Sequence, residues 1–451
     1  MEHNFTKGSV AKQLFLFALP ILGSNLLQAL YGTVDLMVVG LFSDAAEVSA
    51  VSTGSMTLQT ITGIITGLTM GCTVLIGQYV GSQNKKGAAR TIGAGLWLFV
   101  TFGILLALLI AGGANCISTV MNAPEEAFVS TSGYIRICGI GVICIVMFNA
   151  ICGTFRGMGD SNTPLILMGI ACVCNVAGDF ILVGGLKLGA AGAALATVFA
   201  QGISVVSALF LIKKRGFGFP VTKEDLHANP KEMKKILQYG LPIAAQEALT
   251  GISFMVILAI LNGFGVVASA GVGVAEKICA LMFLVPSAVM SAISAFSAQN
   301  VGAGSYGRAK RAMFYGMGIS FLVGLLMFAV SFFHGQFLAG FFAKEKDIIE
   351  AAADYLRSYS VDCVIVGFNF SMMGYLNGNG KTSFVALQGI LSTFLVRIPV
   401  SYFMSKIPGV TLFQIGFATP LATAFAIIIT SIYLVRFEKK RNLNRNLSRP
   451  V

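Results

Sequence analysis

Charged residues are scarce in this chain. Only 11% of its 451 residues are Asp, Glu, Lys or Arg, whereas a soluble domain has roughly 25%. Histidine is scarcer still: the three histidines (His3, His227 and His334) all lie outside the centres of the apolar runs. A soluble fold and a histidine-based metal centre are therefore not favoured.

Motifs of enzyme chemistry are also missing. The chain contains no G-x-x-x-x-G-K-[ST] sequence, so ATP is not predicted to drive its activity. No nucleophile motif and no metal-ligand spacing are present. The nine cysteines lie mostly inside apolar runs, where cysteine acts as a small hydrophobe. We expect neither an enzyme, nor a disulfide framework, nor a cofactor.

What the chain has in abundance is apolar sequence. Hydrophobic residues make up 56% of it, its mean hydropathy is +0.81, and it contains 52 glycines, which allow membrane helices to approach closely. An apolar helix of about 20 residues crosses the bilayer core. Twelve such spans are predicted, at 13–40, 50–80, 91–112, 131–154, 163–184, 189–212, 235–261, 267–300, 309–334, 351–376, 383–405 and 411–437. The predicted fold class is an all-α, polytopic membrane protein.

The net charge of +12 follows the predicted topology. Basic residues collect on alternate loops, at Lys7 and Lys12, at 85–90, at Arg156, at 213–215 and 231–235, at 308–311, at Lys381 and in the tail from Arg436. By the positive-inside rule, both termini and the linker at 213–234 are expected to be cytoplasmic. The expected partners are therefore the lipid bilayer and a small-molecule substrate, and not nucleic acid.

The second half of the chain repeats the first at a nearly constant offset. Matching segments include Leu19-Pro20-Ile21 with Leu241-Pro242-Ile243, Gln78, Val80 and Gly81 with Gln299, Val301 and Gly302, and Gly153, Gly157 and Gly159 with Gly374, Gly378 and Gly380. Each half has six spans, so the halves are predicted to be parallel repeats that share a cavity. The predicted domains are an N-terminal lobe at 1–212, the linker at 213–234, a C-terminal lobe at 235–437 and a basic tail at 438–451.

Four polar residues of the first half are predicted to meet at one depth in the membrane. Asn175 and Asp179 are four residues apart and so share a helix face. Asp179 and Asp35 each lie about 8 Å from the outer end of their spans, and Thr197 lies about 12 Å in. An intramembrane carboxylate normally faces a cavity or a partner. Oxygen ligands suit Na⁺, and two adjacent carboxylates resist joint ionisation, which suits a proton carrier.

The second half lacks these carboxylates and has a different polar set. Glu247 lies near the middle of span seven, with Asp362 at comparable depth in span ten and Arg397 in span eleven. The charged residues, Glu276 and Lys277 included, either pair with one another or face the central cavity. The residues expected to line that cavity are Gln28, Tyr31, Asn149, Glu247, Lys277, Asn369 and Arg397.

Several motifs, in their order, resemble one transporter family. They are the Pro20 to Asp35 spacing, Gln78-Tyr79-Val80-Gly81, the segment Gly153-Thr154-Phe155-Arg156-Gly157-Met158-Gly159-Asp160, and Gly189 to Thr197. The chain resembles the multidrug and toxic compound extrusion (MATE) family over essentially its whole length, and most of all the DinF-type bacterial and archaeal branch.

The resemblance implies a specific activity. It implies a monomeric, multi-pass plasma-membrane antiporter that exports organic, cationic compounds in exchange for H⁺ or Na⁺. It places the cation site at Asp35, Asn175, Asp179 and Thr197, with Na⁺ held by the two carboxylates, and it makes Pro20 a hinge of span one. Two alternatives remain at this point: a lipid-linked oligosaccharide flippase of the same superfamily, and a major facilitator carrier.

Overall fold

The chain is helical almost throughout. The computed structural model describes residues 5 to 447, which contain no β-strand; residues 448–451 of the predicted tail lie outside this range. The twelve long helical segments are α1 Val10–Phe42, α2 Ala45–Gly81, α3 Lys85–Val120, α4 Phe128–Met158, α5 Asn162–Gly185, α6 Gly189–Arg215, α7 Pro230–Asn262, α8 Val266–Gly302, α9 Tyr306–Gly340, α10 Lys346–Gly378, α11 Thr382–Ser405 and α12 Leu412–Leu443.

These helices confirm the predicted all-α membrane fold with twelve segments. Within the described residues, eleven of them are long and apolar enough to cross a membrane. The exception is α10, which begins with charged residues at Lys346, Asp347 and Glu350. Most helices extend beyond the predicted spans: α2, with 37 residues, is about 55 Å long and exceeds the ~30 Å hydrocarbon layer.

Five segments depart from regular α-helical geometry. The backbone of α9 is non-helical at His334, and α12 is interrupted at Phe417. α8 is interrupted at Phe283, between Val266–Met282 and Leu284–Gly302. The end of α5, Phe180–Gly185, is a π-helical turn, and so is Ser392–Arg397 inside α11. Isolated π-helical turns are rare and occur often at functional sites. Here one follows Asp179 directly and the other ends on Arg397.

The helices form two compact units. The first comprises the residues through Ala248 together with Ser294–Ala312 and Asn377–Gly380, and the second comprises Leu249–Ile293, Met313–Leu376 and the residues from Lys381 onward. The first unit thus contains α1 to α6, most of α7, and short pieces of the second repeat. Its boundaries differ from those of the predicted lobes, which remain a prediction.

In the first unit, α4 is the central helix. It packs against α2, α3 and α6, while α5 packs against α1 and α6. Glycine makes the closest of these approaches possible: a Cβ atom on Gly139 of α4 would lie 2.8 Å from the backbone nitrogen of Ala111 in α3. In the second unit, a buried cluster around Tyr355, Tyr359 and Cys279 joins α8 to α10.

Candidate functional site

The strongest polar cluster lies inside the first unit, where α1, α5 and α6 meet. It contains Asp35 from α1, Asn175 and Asp179 from α5, and Thr197 from α6. Each of these side chains is at most 2% exposed. The structure therefore brings together all four residues that the sequence predicted to share one depth, and it places them away from solvent.

Thr197 links the cluster from the centre. Its hydroxyl donates to Oδ2 of Asp35 at 3.3 Å, and it accepts from Nδ2 of Asn175 at 3.4 Å. The carboxyl groups of Asp35 and Asp179 are also close enough to share a proton in a hydrogen bond. The cluster thus connects three helices through side chains alone.

The cluster contains more acceptor oxygens than donors. Oδ1 of Asp35, Oδ1 of Asn175 and both carboxyl oxygens of Asp179 are buried without a hydrogen-bond partner. A buried acceptor that lacks a donor costs about 1–3 kcal/mol, and more when it is charged. A cation, or a proton held between the carboxyl groups, would satisfy these oxygens.

The local sequence explains why α5 and α6 come so close at this point. Asn175 and Asp179 are one helical turn apart on one face of α5. Gly178 lies between them in sequence, and a Cβ atom there would lie 3.0 Å from Cβ of Ala196. Glycine and alanine therefore allow the two backbones to approach, which brings Asn175 within reach of Thr197.

One further polar residue was not predicted from the sequence. Gln201 of α6 is 5% exposed, its Oε1 has no hydrogen-bond partner, and its side chain is in hydrogen-bonding reach of the Tyr31 hydroxyl. It follows Thr197 by four residues and so lies on the same helix face. That spacing was the signal available in the sequence.

The other residues expected to line a substrate cavity are divided between the units. In the first unit, Gln28 and Glu247 are exposed. Asn149 accepts a hydrogen bond from the Thr66 hydroxyl at 3.4 Å. In the second unit, Lys277 is exposed and Asn369 is 8% exposed.

Arg397 has a buried environment of its own in the second unit. It is 7% exposed, its guanidinium carbon lies 4.3 Å from the centre of the Phe254 ring, and it donates to the Tyr359 hydroxyl at 2.7 Å and to Thr419 at 3.2 Å. Within residues 5–447, Arg397 forms no salt bridge with a carboxylate. The direct pairing of Arg397 with Asp362 or Glu276 that the sequence allowed is therefore not formed.

Pro20 lies inside an unbroken helix. α1 runs from Val10 to Phe42 with the proline in its first third, and Ser24 donates to the Pro20 carbonyl at 3.0 Å. Proline lacks the amide hydrogen that would continue the helical ladder at this point. The hinge role of Pro20 stays a prediction.

The family model that matches this chain is described as MatE. It matches residues 20–181 and, separately, residues 242–403, which together make up more than two-thirds of the chain. The second match confirms that the chain consists of two related halves.

Named relatives and a solved structure agree with this family. The chain is 27% identical over 408 residues to the probable multidrug resistance protein YpnP of Bacillus subtilis, which covers 89% of this chain and 90% of that protein. It is 24% identical over 440 residues to the multidrug export protein MepA of Staphylococcus aureus, with 96% and 95% covered. A MOP superfamily transporter from Pyrococcus furiosus has the same fold, with a TM-score of 0.90, 21% identity, and 95% and 96% covered.

Proposed function

Because the chain belongs to the MatE family, we propose that it is a secondary active antiporter that exports organic, cationic compounds in exchange for H⁺ or Na⁺. Its multi-pass helices and family place it in a plasma membrane, and the basic residues of the linker and tail favour cytoplasmic termini. The names of YpnP and MepA support multidrug export as the activity.

One observation carries the proposal of ion coupling. Asp35 and Asp179 are buried side by side, and together they leave three carboxyl oxygens without a donor. Two adjacent carboxylates away from water are strongly destabilised unless a cation or a proton joins them. We assign the coupling ion to this pair, with Thr197 and Asn175 as the neutral members of the site.

Transport in reconstituted vesicles tests this assignment. Export of a panel of cationic dyes is measured under a pH gradient alone and under a Na⁺ gradient alone, which also identifies the ion. Asp35→Asn and Asp179→Asn should each abolish gradient-driven export at normal expression. Asp44→Asn is the matched control, because Asp44 caps the start of α2 and asparagine caps a helix equally well. Full export by both cluster variants would exclude the site.

We also propose that ion binding bends α1 at Pro20 and displaces the substrate outward. A cation or proton between Asp35 and Asp179 removes their repulsion and draws α1 towards α5. Spin labels at Leu41 and Leu186, which are exposed at the outer ends of α1 and α5, report this distance. It should shorten at low pH or with Na⁺ and stay constant in Asp35→Asn. If the distance between the labels changes neither with pH nor with Na⁺ in protein that still exports substrate, the bending is contradicted.

A further inference from the structure

Equivalent residues of the two repeats contact each other at one place inside the first unit. Gly77 of α2 and Ala298 of α8 are counterparts, since each directly precedes a matching glutamine of the repeat, Gln78 or Gln299. A Cβ atom on Gly77 would lie 2.8 Å from Cβ of Ala298. When a residue contacts its own counterpart, the axis that relates the repeats passes between them. The helix ends around this point, 73–81 of α2 and 294–302 of α8, are called the crossing here.

On both sides of the axis, a glycine allows the backbones of α2 and α8 to come into contact at the crossing. Gly81 faces the backbone carbonyl of Gln299, and Gly302 faces that of Gln78; a Cβ atom on either glycine would overlap that carbonyl. Gly302 is the counterpart of Gly81, just as Gln299 is the counterpart of Gln78. The two helices therefore meet backbone to backbone, and any side chain at these glycines prevents the contact.

Two glutamines fasten the crossing with the same symmetry. Nε2 of Gln78 donates to the Gly378 carbonyl at 3.1 Å, and Nε2 of Gln299 donates to the Gly157 carbonyl at 3.0 Å. Gly157 and Gly378 lie at the ends of α4 and α10 and are themselves a repeat pair. Each repeat thus donates one hydrogen bond to the other. Because each repeat is donor in one bond and acceptor in the other, both bonds form only when the ends of α2 and α4 lie beside those of α8 and α10.

The chain segment that precedes each repeat also contacts the other repeat next to the crossing. Phe5 is fully buried against Phe296 of α8, and its carbonyl accepts a hydrogen bond from Arg308 of α9 at 2.9 Å. Leu226, its counterpart in front of the second repeat, accepts a hydrogen bond from Trp97 of α3 at 2.9 Å. Each leading segment therefore binds to helices of the other repeat.

We propose that the crossing is the closed cytoplasmic gate of the transport cycle, and that Gln78, Gly81, Gln299 and Gly302 hold it shut. The location of the crossing on the cytoplasmic side and its part in a transport cycle rest on the proposed function. The contacts at the crossing are independent of that function. To admit a substrate from the cytoplasm, the ends of α2 and α4 must part from those of α8 and α10. Both glutamine bonds and both glycine contacts are then lost together, so the gate has one closed state with two equal halves.

Distances across the crossing test the gate directly. Nitroxide labels are attached to a keto amino acid incorporated at Ser82 and Ala303, a repeat pair exposed just beyond the glycines, which leaves the native cysteines in place. Double electron–electron resonance in nanodiscs, without substrate or gradient, should show a short-distance population. Gly81→Ala and Gly302→Ala should each shift it to long distances. Gly307→Ala is the control, because no atom lies within 4 Å of its Cβ position.

The glutamines provide the milder test. Gln78→Met and Gln299→Met keep the side-chain length but remove the donor, and each should lower the ratio of short to long distances about fivefold, the equivalent of one net hydrogen bond of about 1 kcal/mol. Equal effects of the two variants support the symmetric gate. Unchanged distances in folded glycine and glutamine variants, or an equal shift in Gly307→Ala, would overturn it. If the native protein exports none of the dyes, the proposed function is refuted, while a distance shift in the glycine variants would still show that these contacts close the crossing.

Discussion

Thr197→Val is the sharpest single test of the proposed ion site at the polar cluster. The substitution keeps the size and β-branching of the side chain and removes only the hydroxyl. That hydroxyl donates to Asp35 at 3.3 Å and accepts from Asn175 at 3.4 Å. Without it, the Oδ2 atom of Asp35 loses the donor that Thr197 supplies, and the amide of Asn175 loses its acceptor inside the cluster.

The size of the effect follows from these distances. A hydrogen bond to a charged group contributes about 1.5–3 kcal/mol net, and both distances are at the long end of the normal range, so the lower value applies. About 1.5 kcal/mol corresponds to a roughly tenfold change in affinity. Because the lost hydrogen bond stabilises the empty, ionised form of Asp35, its removal favours the occupied site, and we expect the coupling-ion concentration at half-maximal export to fall about tenfold.

The assay is the initial rate of dye export from vesicles as a function of Na⁺ concentration or of pH. Thr197→Ser is the matched control, since serine restores the hydroxyl and lacks only the methyl group; it should behave like the native protein. The reasoning is refuted if valine leaves the half-maximal concentration unchanged. It is also refuted if serine shifts the half-maximal concentration as strongly as valine, because the shift would then come from packing.

Three further changes have distinct expected outcomes. Glu247→Gln should alter the range of exported cations while ion-driven turnover persists in the export assay. If Glu247→Gln abolished ion binding while Asp35→Asn did not, the assignment of the ion site to the first repeat would be reversed. Arg397→Leu should destabilise the protein by about 1–3 kcal/mol in thermal unfolding, because the Tyr359 hydroxyl loses its buried donor; an unchanged transition would contradict this. Hydrogen bonds from Thr222 lower the pKa of Asp225, so the linker turn is stabilised above pH ~4 and loosens as the pH falls through the lowered pKa. Emission of Trp97, the single tryptophan, should report that loosening and become pH-independent in Asp225→Asn, whereas a pH response that survives in the variant would refute it.

The position of the polar cluster could be predicted because helices have a fixed rise. Counting residues from the outer ends placed Asp35, Asp179 and Thr197 at similar depths, and the i, i+4 spacing placed Asn175 beside Asp179. The same regularity explains why twelve apolar spans were countable from the sequence. Only the ends of the helices were underestimated, since they continue past the apolar residues into the loops.

Features that depend on local irregularity were not predictable. Ser392–Arg397 forms a π-helical turn that ends on Arg397, and no hydrophobic period in the sequence reveals it. Arg397 packs on Phe254 and donates a hydrogen bond to Tyr359, although the sequence placed carboxylates at a similar depth in the membrane. Gln201 was missed for a different reason: an amide inside an apolar helix is equally compatible with packing between helices, so its type alone carries little information.

The two repeats share a scaffold and differ in chemistry, and this difference bears on mechanism. At the crossing, Gln78 and Gly81 have identical counterparts in Gln299 and Gly302, and each pair makes the same contact. At the polar cluster, the position equivalent to Asp35 is Ile257 or its neighbour, so the second repeat has no matching carboxylate. The proposed gate involves both repeats, whereas the proposed ion site lies in the first repeat alone. Coupling between them needs a rigid connection from the ion site to the gate. α4 supplies one, because it packs against both α2 and α6 and its end contains Gly157, whose carbonyl accepts the hydrogen bond from Gln299. Under these two proposals, a change at α6 on ion binding would reach both halves of the gate through a single helix.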